Sequence, residues 1–405
     1  MFEIQGRYTS ARLYADIYDE KLLDQVRRLL DMPYLKDCPV AMMPDCHMGE
    51  GAAIGTTIRL GKAIAPDLVG VDIGCGMTLL KLPVKKIDYV FLDQIIRRDV
   101  PSGLNVRERP IADFPELQEL RHYPRVEPFL DRVLCSLGTL GGGNHFIEID
   151  HDKEGNLYLL IHSGSRYLGT LTNRLYVDLA TKNHIQEVKD LPGQRLLIER
   201  LKAEGRKKEI QNALRDYTKE RLKSDTMPKE LYPVSGPDFE DYCHDVAIVT
   251  RFASENRKQI ARSILSGLGI PFENCEFHEC SHNTIDEKDH ILRKGAIRAH
   301  EGDFCIIPIS MKDGALLGYG KGNKEANESC PHGAGRRFSR KEAKERITLQ
   351  EFQDSMKGIY STSVREETID ESPFAYKPLD SILKNIQDCC TITDRILPTY
   401  NFKAC

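Results

Sequence analysis

Residues 144–162 contain two short apolar runs, Asn144-His-Phe-Ile-Glu-Ile149 and Leu157-Tyr-Leu-Leu-Ile-His162, around the polar segment His151-Asp-Lys-Glu-Gly-Asn156. Two such runs flanking strong turn residues predict a β-hairpin. Pairing residue 150 with 157 puts His145 opposite His162. Directly opposed Cβ atoms lie about 4.5–5.5 Å apart, so two imidazoles could share one ion. A one-residue slip would turn the rings to opposite faces. Taken singly, a histidine at a strand end reads as an ordinary hydrogen-bonded residue.

Outward from this hairpin, the chain mixes strand and helix signals. Phe304–Ile309 is a second apolar run, and its proline marks an edge strand or a bulge. Glycines cluster at residues 49–76, 138–169 and 314–335, next to apolar runs. Such clusters suggest turns where backbone approaches backbone or ligand closely. Residues 173–265 differ in character. Glu199–Lys229 has ten bases and six acids and reads as exposed helix, while Ala247–Leu265 is amphipathic, with Val249, Phe252, Ile260 and Ile264 near one face. Pro228, Pro233 and Pro237 break the pattern between them. No repeat or low-complexity linker is visible. The expectation is one α+β domain over residues 1–405 with a basic helical segment, 173–265, inserted in it.

The 405 residues carry 61 acids and 57 bases, a net charge of −4, with 40% apolar and 29% charged residues. Length alone allows two or three domains. The composition argues against a disordered, collagenous or small disulfide-stapled chain. No run of 18 apolar residues occurs. The first twenty residues include acids and lack an apolar h-region, so a cytoplasmic location and mostly reduced thiols are expected. Twelve cysteines and twelve histidines make 24 possible ligands for soft or borderline metals. A P-loop or a dinucleotide-binding G-x-G-x-x-G after a clear strand is missing, which argues against P-loop kinases and Rossmann enzymes.

Three further segments carry candidate chemistry. In Asp72-Ile-Gly-Cys75-Gly, a carboxylate and a thiol three residues apart could turn towards one ion, a set suited to a divalent transition metal; the plainer alternative is a buried cysteine in a tight turn. Cys275, His278, Cys280 and His282 do not have a standard structural-zinc spacing. A single histidine from this segment joining a distant site is more economical. In Pro331-His332-Gly-Ala-Gly335-Arg336-Arg337, the imidazole could attack phosphorus, with the glycines leaving room and the arginines balancing charge. The alternative is a glycine-rich turn before a solvated basic helix.

Taken in order, Pro44-Asp45-Cys-His47-Met-Gly49, Gly70-Val-Asp72-Ile-Gly-Cys75-Gly-Met77, Leu137–Phe146, His162-Ser-Gly-Ser-Arg166, Arg293-Lys-Gly-Ala296 and His332-Gly-Ala-Gly-Arg336 resemble the motifs of the RtcB family of RNA-splicing ligases. Tyr376-Lys-Pro-Leu-Asp380 and the end at Lys403 resemble the family's C-terminus, so the likeness covers nearly the whole chain. It implies an α+β fold with mixed sheets around a buried di-metal site. It also implies a GTP-dependent enzyme with two Mn2+ ions that joins RNA 3′-phosphate or 2′,3′-cyclic phosphate ends to 5′-hydroxyl ends, in tRNA splicing or RNA repair. By resemblance, His332 accepts GMP; Asp72, Cys75, His145, His162 and His282 hold metal. Asn144, Glu148, Asn283, Ser310, His332 and Lys403 contact the nucleotide, with Glu148 and Lys403 reading guanine. RNA, GTP and an activating protein partner are the partners it suggests.

The sequence departs from the family pattern at Tyr167-Leu-Gly-Thr170, at Ile309 and at Ala315, where a serine is expected to help hold guanine. These changes motivate an alternative, a metal-dependent phosphoesterase that opens cyclic phosphates without ligation. A third reading is a non-catalytic RNA-binding protein. Arg293, Lys294, Arg298, Arg336, Arg337, Arg340, Lys341 and Lys344 could line a phosphate path. Cys46, Cys280 and Cys330 lie beside motif residues without an assigned role.

Overall fold

Phe146–His151 and Leu157–Ser163 do form an antiparallel hairpin, but one residue out of the expected register. In the computed structural model, which describes residues 2–404, Asp150 faces Tyr158 and Phe146 faces His162. The turn sets this register. Asp152 accepts hydrogen bonds on its carboxylate from the amides of Glu154 (2.9 Å) and Asn156 (2.8 Å), and its own amide donates to the Asn156 carbonyl. The loop therefore closes at 152 with 156, not at 150 with 157. Alternate residues then separate cleanly. Leu157, Leu159 and Ile161 join Ile260 and Ile264 in one core, while Tyr158 and Leu160 join Ile306 and Leu316 in another.

The hairpin lies in the middle of a seven-stranded antiparallel sheet. Its order is Glu276–Ser281, Gly76–Lys81, Leu157–Ser163, Phe146–His151, Cys390–Lys403, Gly314–Gly320 and Phe304–Ser310. Phe304–Ser310 is an edge strand, and its register shifts between Pro308 and Ser310, so the proline marks both an edge and a bulge. Register brings Ser281, Gly76, Ser163 and, on the next two strands, Phe146 and Lys403 to one end of the sheet. A second, six-stranded sheet has Val40–His47 and Ile54–Arg59 at its centre.

The helical segment is not the simple insertion that its composition suggests. Residue 173 falls inside a helix, Arg166–Lys189, and the basic part forms two further helices, Leu191–Ala203 and Ile210–Ser224, of which only Leu201 is buried. The remainder, Pro237–Gly267, is a core helix. Pro237 starts it, as proline can where the first amides have no intrahelical acceptor. Val249, Phe252, Ile260 and Ile264 are all fully buried as their spacing predicts, each stabilising the fold by roughly 1.5–3 kcal/mol. Among the described residues, no helix is long and apolar enough to cross a membrane.

Candidate functional site

The site sits where strands end and turns begin. Asp72 and Cys75 occupy the turn before Gly76–Lys81, His145 precedes Phe146–His151, His162 is the penultimate residue of its strand, and His282 joins two strands. Backbone bonds lock these turns together: the His282 amide donates to the Cys75 carbonyl (2.8 Å), and the Gly74 amide donates to the Asn283 carbonyl (2.6 Å). Gly164 lets Asp72 come close, because a Cβ there would collide with the carboxylate. From the core helix, the fully buried Arg257 donates to the carbonyls of Gly74 (3.0 Å) and Ser163 (3.1 Å), and pairs with Glu279 at 3.2 Å. Asn256 beside it donates to the Gly164 carbonyl. Sequence reasoning gave neither residue a role; their signal is a polar pair on the apolar face of an amphipathic helix.

Two donor groups share Cys75. Asp72, Cys75 and His145 form one; Cys75, His162 and His282 form the other. Cys75 Sγ lies 3.4 Å from His145 Nε2 and 3.2 Å from His162 Nε2, and the latter lies 3.3 Å from His282 Nε2. His145 Nδ1 donates to the Leu140 carbonyl (2.7 Å) and His162 Nδ1 to that of Asn144 (3.2 Å), leaving both Nε2 atoms turned inward. The expected His145–His162 meeting therefore occurs, with ring centroids 5.2 Å apart, despite the shifted register. His145 stands one residue outside the pleat, so strand alternation does not govern its ring.

The electrostatics fit a cation. Burial pushes His162 and His282 well below the ordinary imidazole value, so both are neutral donors. Burial raises the Cys75 thiol far above its usual value, and the Asp72 charge adds to this; an ion must displace its proton. Burial alone would raise Asp72, but hydrogen bonding and charge from His145 hold it down at about 2. Carboxylate, thiolate and imidazole converging on one point suit a divalent transition ion. Cys275 and His278 take no part: His278 stacks on Phe304 at 4.1 Å, and only His282 of that segment joins the site.

His332 follows the strand Ser329–Pro331, and its ring lies 4.7 Å from that of His282. Its Nδ1 donates to Asp45 Oδ2 at 2.6 Å, and its amide donates to the same oxygen at 3.2 Å. The Nε2 lone pair is thereby left as the nucleophilic position, as in other carboxylate–imidazole pairs. Asp45 is completely buried within Val40–His47, where the pairing with Ile54–Arg59 shifts register between Met42 and His47. Gly335, at φ 73°, packs against the Asp45 backbone so tightly that a Cβ would clash. Asp45 is a functional candidate that sequence analysis placed only within the Pro44–Gly49 motif, with no role assigned.

A cleft of about 980 Å³ runs from the donor groups past His332 and is lined by Asn144, Glu148, Asn283, Ser310 and Lys403, large enough for a nucleotide. Lys403 pairs with Glu371 at 2.9 Å and reaches the Asn144 carbonyl at 3.4 Å. Asn401 donates to Glu148, whose carboxyl burial pushes up to about 7 although Lys403 opposes the shift. Asn283 instead braces the turns, donating to the Asp72 carbonyl and accepting from the Gly295 amide, and Ser310 donates to Asp313.

Several expected phosphate contacts need correction. Arg293 is buried against Ser329 and Asp289, and Arg298 pairs with Asp303, so neither faces the cleft. Arg336 and Arg340 line it but are engaged by Asp370 and Glu371. Lys294 donates to the carbonyls of Glu50 and Asp67; Arg337 is exposed at the rim. Lys341 and Lys344 lie off the cleft. Of the departures from the family pattern, only Ile309 lines the cleft. Tyr167 packs on Phe129 and beneath Arg132, and Ala315 is buried in the sheet.

The sequence profile described as tRNA-splicing ligase RtcB matches residues 25–125 and 118–404. An RNA-splicing ligase RtcB of Escherichia coli is 31% identical over 385 residues, covering 85% of each chain. The tRNA-splicing ligases RtcB of Methanococcus maripaludis and Nanoarchaeum equitans are each 25% identical, over 96% and 93% of this chain and 91% and 90% of their own. The profile spans the donor groups and His332, and the chain belongs to the RtcB family.

Proposed function

We propose that this protein is an RNA ligase that uses GTP and two Mn2+ ions to join a 3′-phosphate or 2′,3′-cyclic phosphate end to a 5′-hydroxyl end. The observation that carries this reading is the placement of His332, held through Nδ1 by Asp45 and set between the paired donor groups and the cleft. The manganese ions, held by Asp72, Cys75, His145, His162 and His282, would withdraw charge from the phosphate under attack.

His332 Nε2 attacks the α-phosphorus of GTP, a bond to pyrophosphate breaks, and pyrophosphate departs. Asp45 balances the positive charge that develops on the ring, as a buried carboxylate does beside an attacking or proton-accepting imidazole. GMP then passes from His332 to an oxygen of the RNA 3′-phosphate. Attack by the 5′-hydroxyl oxygen forms the new phosphodiester and expels GMP. Glu148 accepts from guanine, Lys403 donates to it, and Asn144 lies towards the phosphates; these roles are supported by the presence of all three in the lining of the cleft with His332.

The test is a joining assay with RNA bearing defined ends, GTP and manganese. The expected product is a joined strand that depends on GTP and disappears in His332→Ala. Opening of the cyclic phosphate without GTP and without a joined strand would overturn the ligase reading in favour of a phosphoesterase.

A further inference from the structure

Away from the cleft, Cys305, Cys330 and Cys390 bring three sulfur atoms within 4.8 Å of one another. None of them lines the cleft, and they are 0%, 0% and 2% exposed. Each belongs to a different element: Phe304–Ser310, Ser329–Pro331 and the start of Cys390–Lys403. Between the first and last runs Gly314–Gly320, in which Gly318 pairs with Cys305, and a Cβ at Gly318 would come within 3.0 Å of Cys390 Sγ. Glycine thus makes the space in which the sulfurs meet. A fourth thiol, Cys389, is 1% exposed and within hydrogen-bonding reach of Cys330.

We propose that Cys305, Cys330 and Cys390, with Cys389 as fourth donor, bind one zinc ion as a structural site separate from the catalytic cleft. Three converging sulfurs, a fourth thiol beside Cys330 and no carboxylate in the group select a thiolate-preferring d10 ion, and a shell closed by four protein ligands is the pattern of structural rather than catalytic zinc. Binding breaks four S–H bonds and forms four Zn–S bonds; four protons leave to solvent and nothing is oxidised. The ion would tie together the three strands that deliver Ser310, His332 and Lys403 to the cleft. It would therefore support the nucleotide wall without touching it.

The test uses the full chain carrying Cys75→Ala, which removes the thiolate shared by the two cleft groups, purified under reducing conditions and loaded with zinc alone. Elemental analysis after dialysis should give about one zinc per chain, and X-ray absorption a sulfur-only shell near 2.3 Å. Replacing zinc with cobalt(II) should give thiolate-to-metal charge transfer and intense tetrahedral visible bands. Adding Cys330→Ser or Cys390→Ser should lower the zinc content at least tenfold. The cobalt and absorption spectra of the Cys75→Ala chain decide the matter if the serine variants fail to fold. No retained zinc, a nitrogen- or oxygen-dominated shell, unchanged zinc in the serine variants, or a disulfide among these cysteines would each overturn the proposal.

Discussion

The two ends of the cleft are built on opposite principles. At the donor end, imidazole nitrogens, a thiol and a carboxylate are turned towards each other, with Nε2 of His162 and Nε2 of His282 only 3.3 Å apart. At the other end, charges are already matched: Lys403 rests on Glu371, Asn401 on Glu148, and Arg336 and Arg340 on the Asp370–Glu371 pair. Burial would raise Glu371, but Lys403, Arg340 and Arg336 hold it at about 2. The donor end has the form of a cation site, whereas the far end is preorganised and must share its partners with whatever enters. Loss of a donor should thus abolish function, and loss of a far-end contact should retune it.

The largest effect is expected from Cys75→Ala, because one sulfur serves both donor groups. Metal affinity and joining should fall by more than the roughly 10–100-fold that follows loss of a residue supporting a metal ligand, as measured by metal titration and product analysis. Asp45→Asn comes next. It removes the charge opposite His332, and the rate of GMP transfer to the protein should fall by about 10²–10⁴-fold, while GTP affinity changes only a few-fold. A matching loss of GTP affinity would instead mean that Asp45 serves binding.

At the far end the contrast is one of pH. Burial pushes the Glu148 carboxyl up to about 7, so below that value it is mostly protonated and can no longer accept on both oxygens from the guanine proposed to bind it. GTP affinity should weaken by about tenfold between pH 8 and pH 6, and Glu148→Gln should flatten the profile while lowering affinity at pH 8. Calorimetric titration at several pH values checks this. The smallest effect concerns Asp150, fully buried two residues on, with neither carboxylate oxygen hydrogen-bonded. Burial and then the Glu148 charge raise it well above the ordinary carboxylate value. The folded state therefore holds its protons more tightly than the unfolded chain, and stability should decline as pH rises above the ordinary carboxylate range. Asp150→Asn should add about 1–3 kcal/mol at pH 8 and less at pH 5, by denaturant unfolding.

At the donor end the resemblance supplied the full ligand set, while residue type and spacing alone offered Asp72 with Cys75, His145 with His162 and a single histidine from residues 275–282. Asp72, Cys75, His145, His162, His282 and His332 are brought together as the motif order suggests. The hairpin was legible as a hairpin but not in register, since Asp152 closes the loop through side-chain bonds that periodicity does not contain. The exposed and amphipathic helices within residues 173–265 were legible, but the polar contacts they make were not. The basic helices are exposed, yet Arg257 at the other end of that segment reaches the carbonyl of Gly74 in the Cys75 turn and that of Ser163 beside His162. A charged residue on an apolar helix face is ambiguous until its partners, 94 and 183 residues away in sequence, are placed beside it. For the same reason Arg293 and Arg298 read as a phosphate path when they are internal ties to Asp289 and Asp303.

The central claim is that His332 is the nucleophile between these two ends. Protein incubated with manganese and GTP labelled at the α-phosphate should retain acid-labile label that maps to His332 and is absent from His332→Ala. Full labelling of His332→Ala, or no label on a metal-loaded protein that still joins RNA, would contradict it.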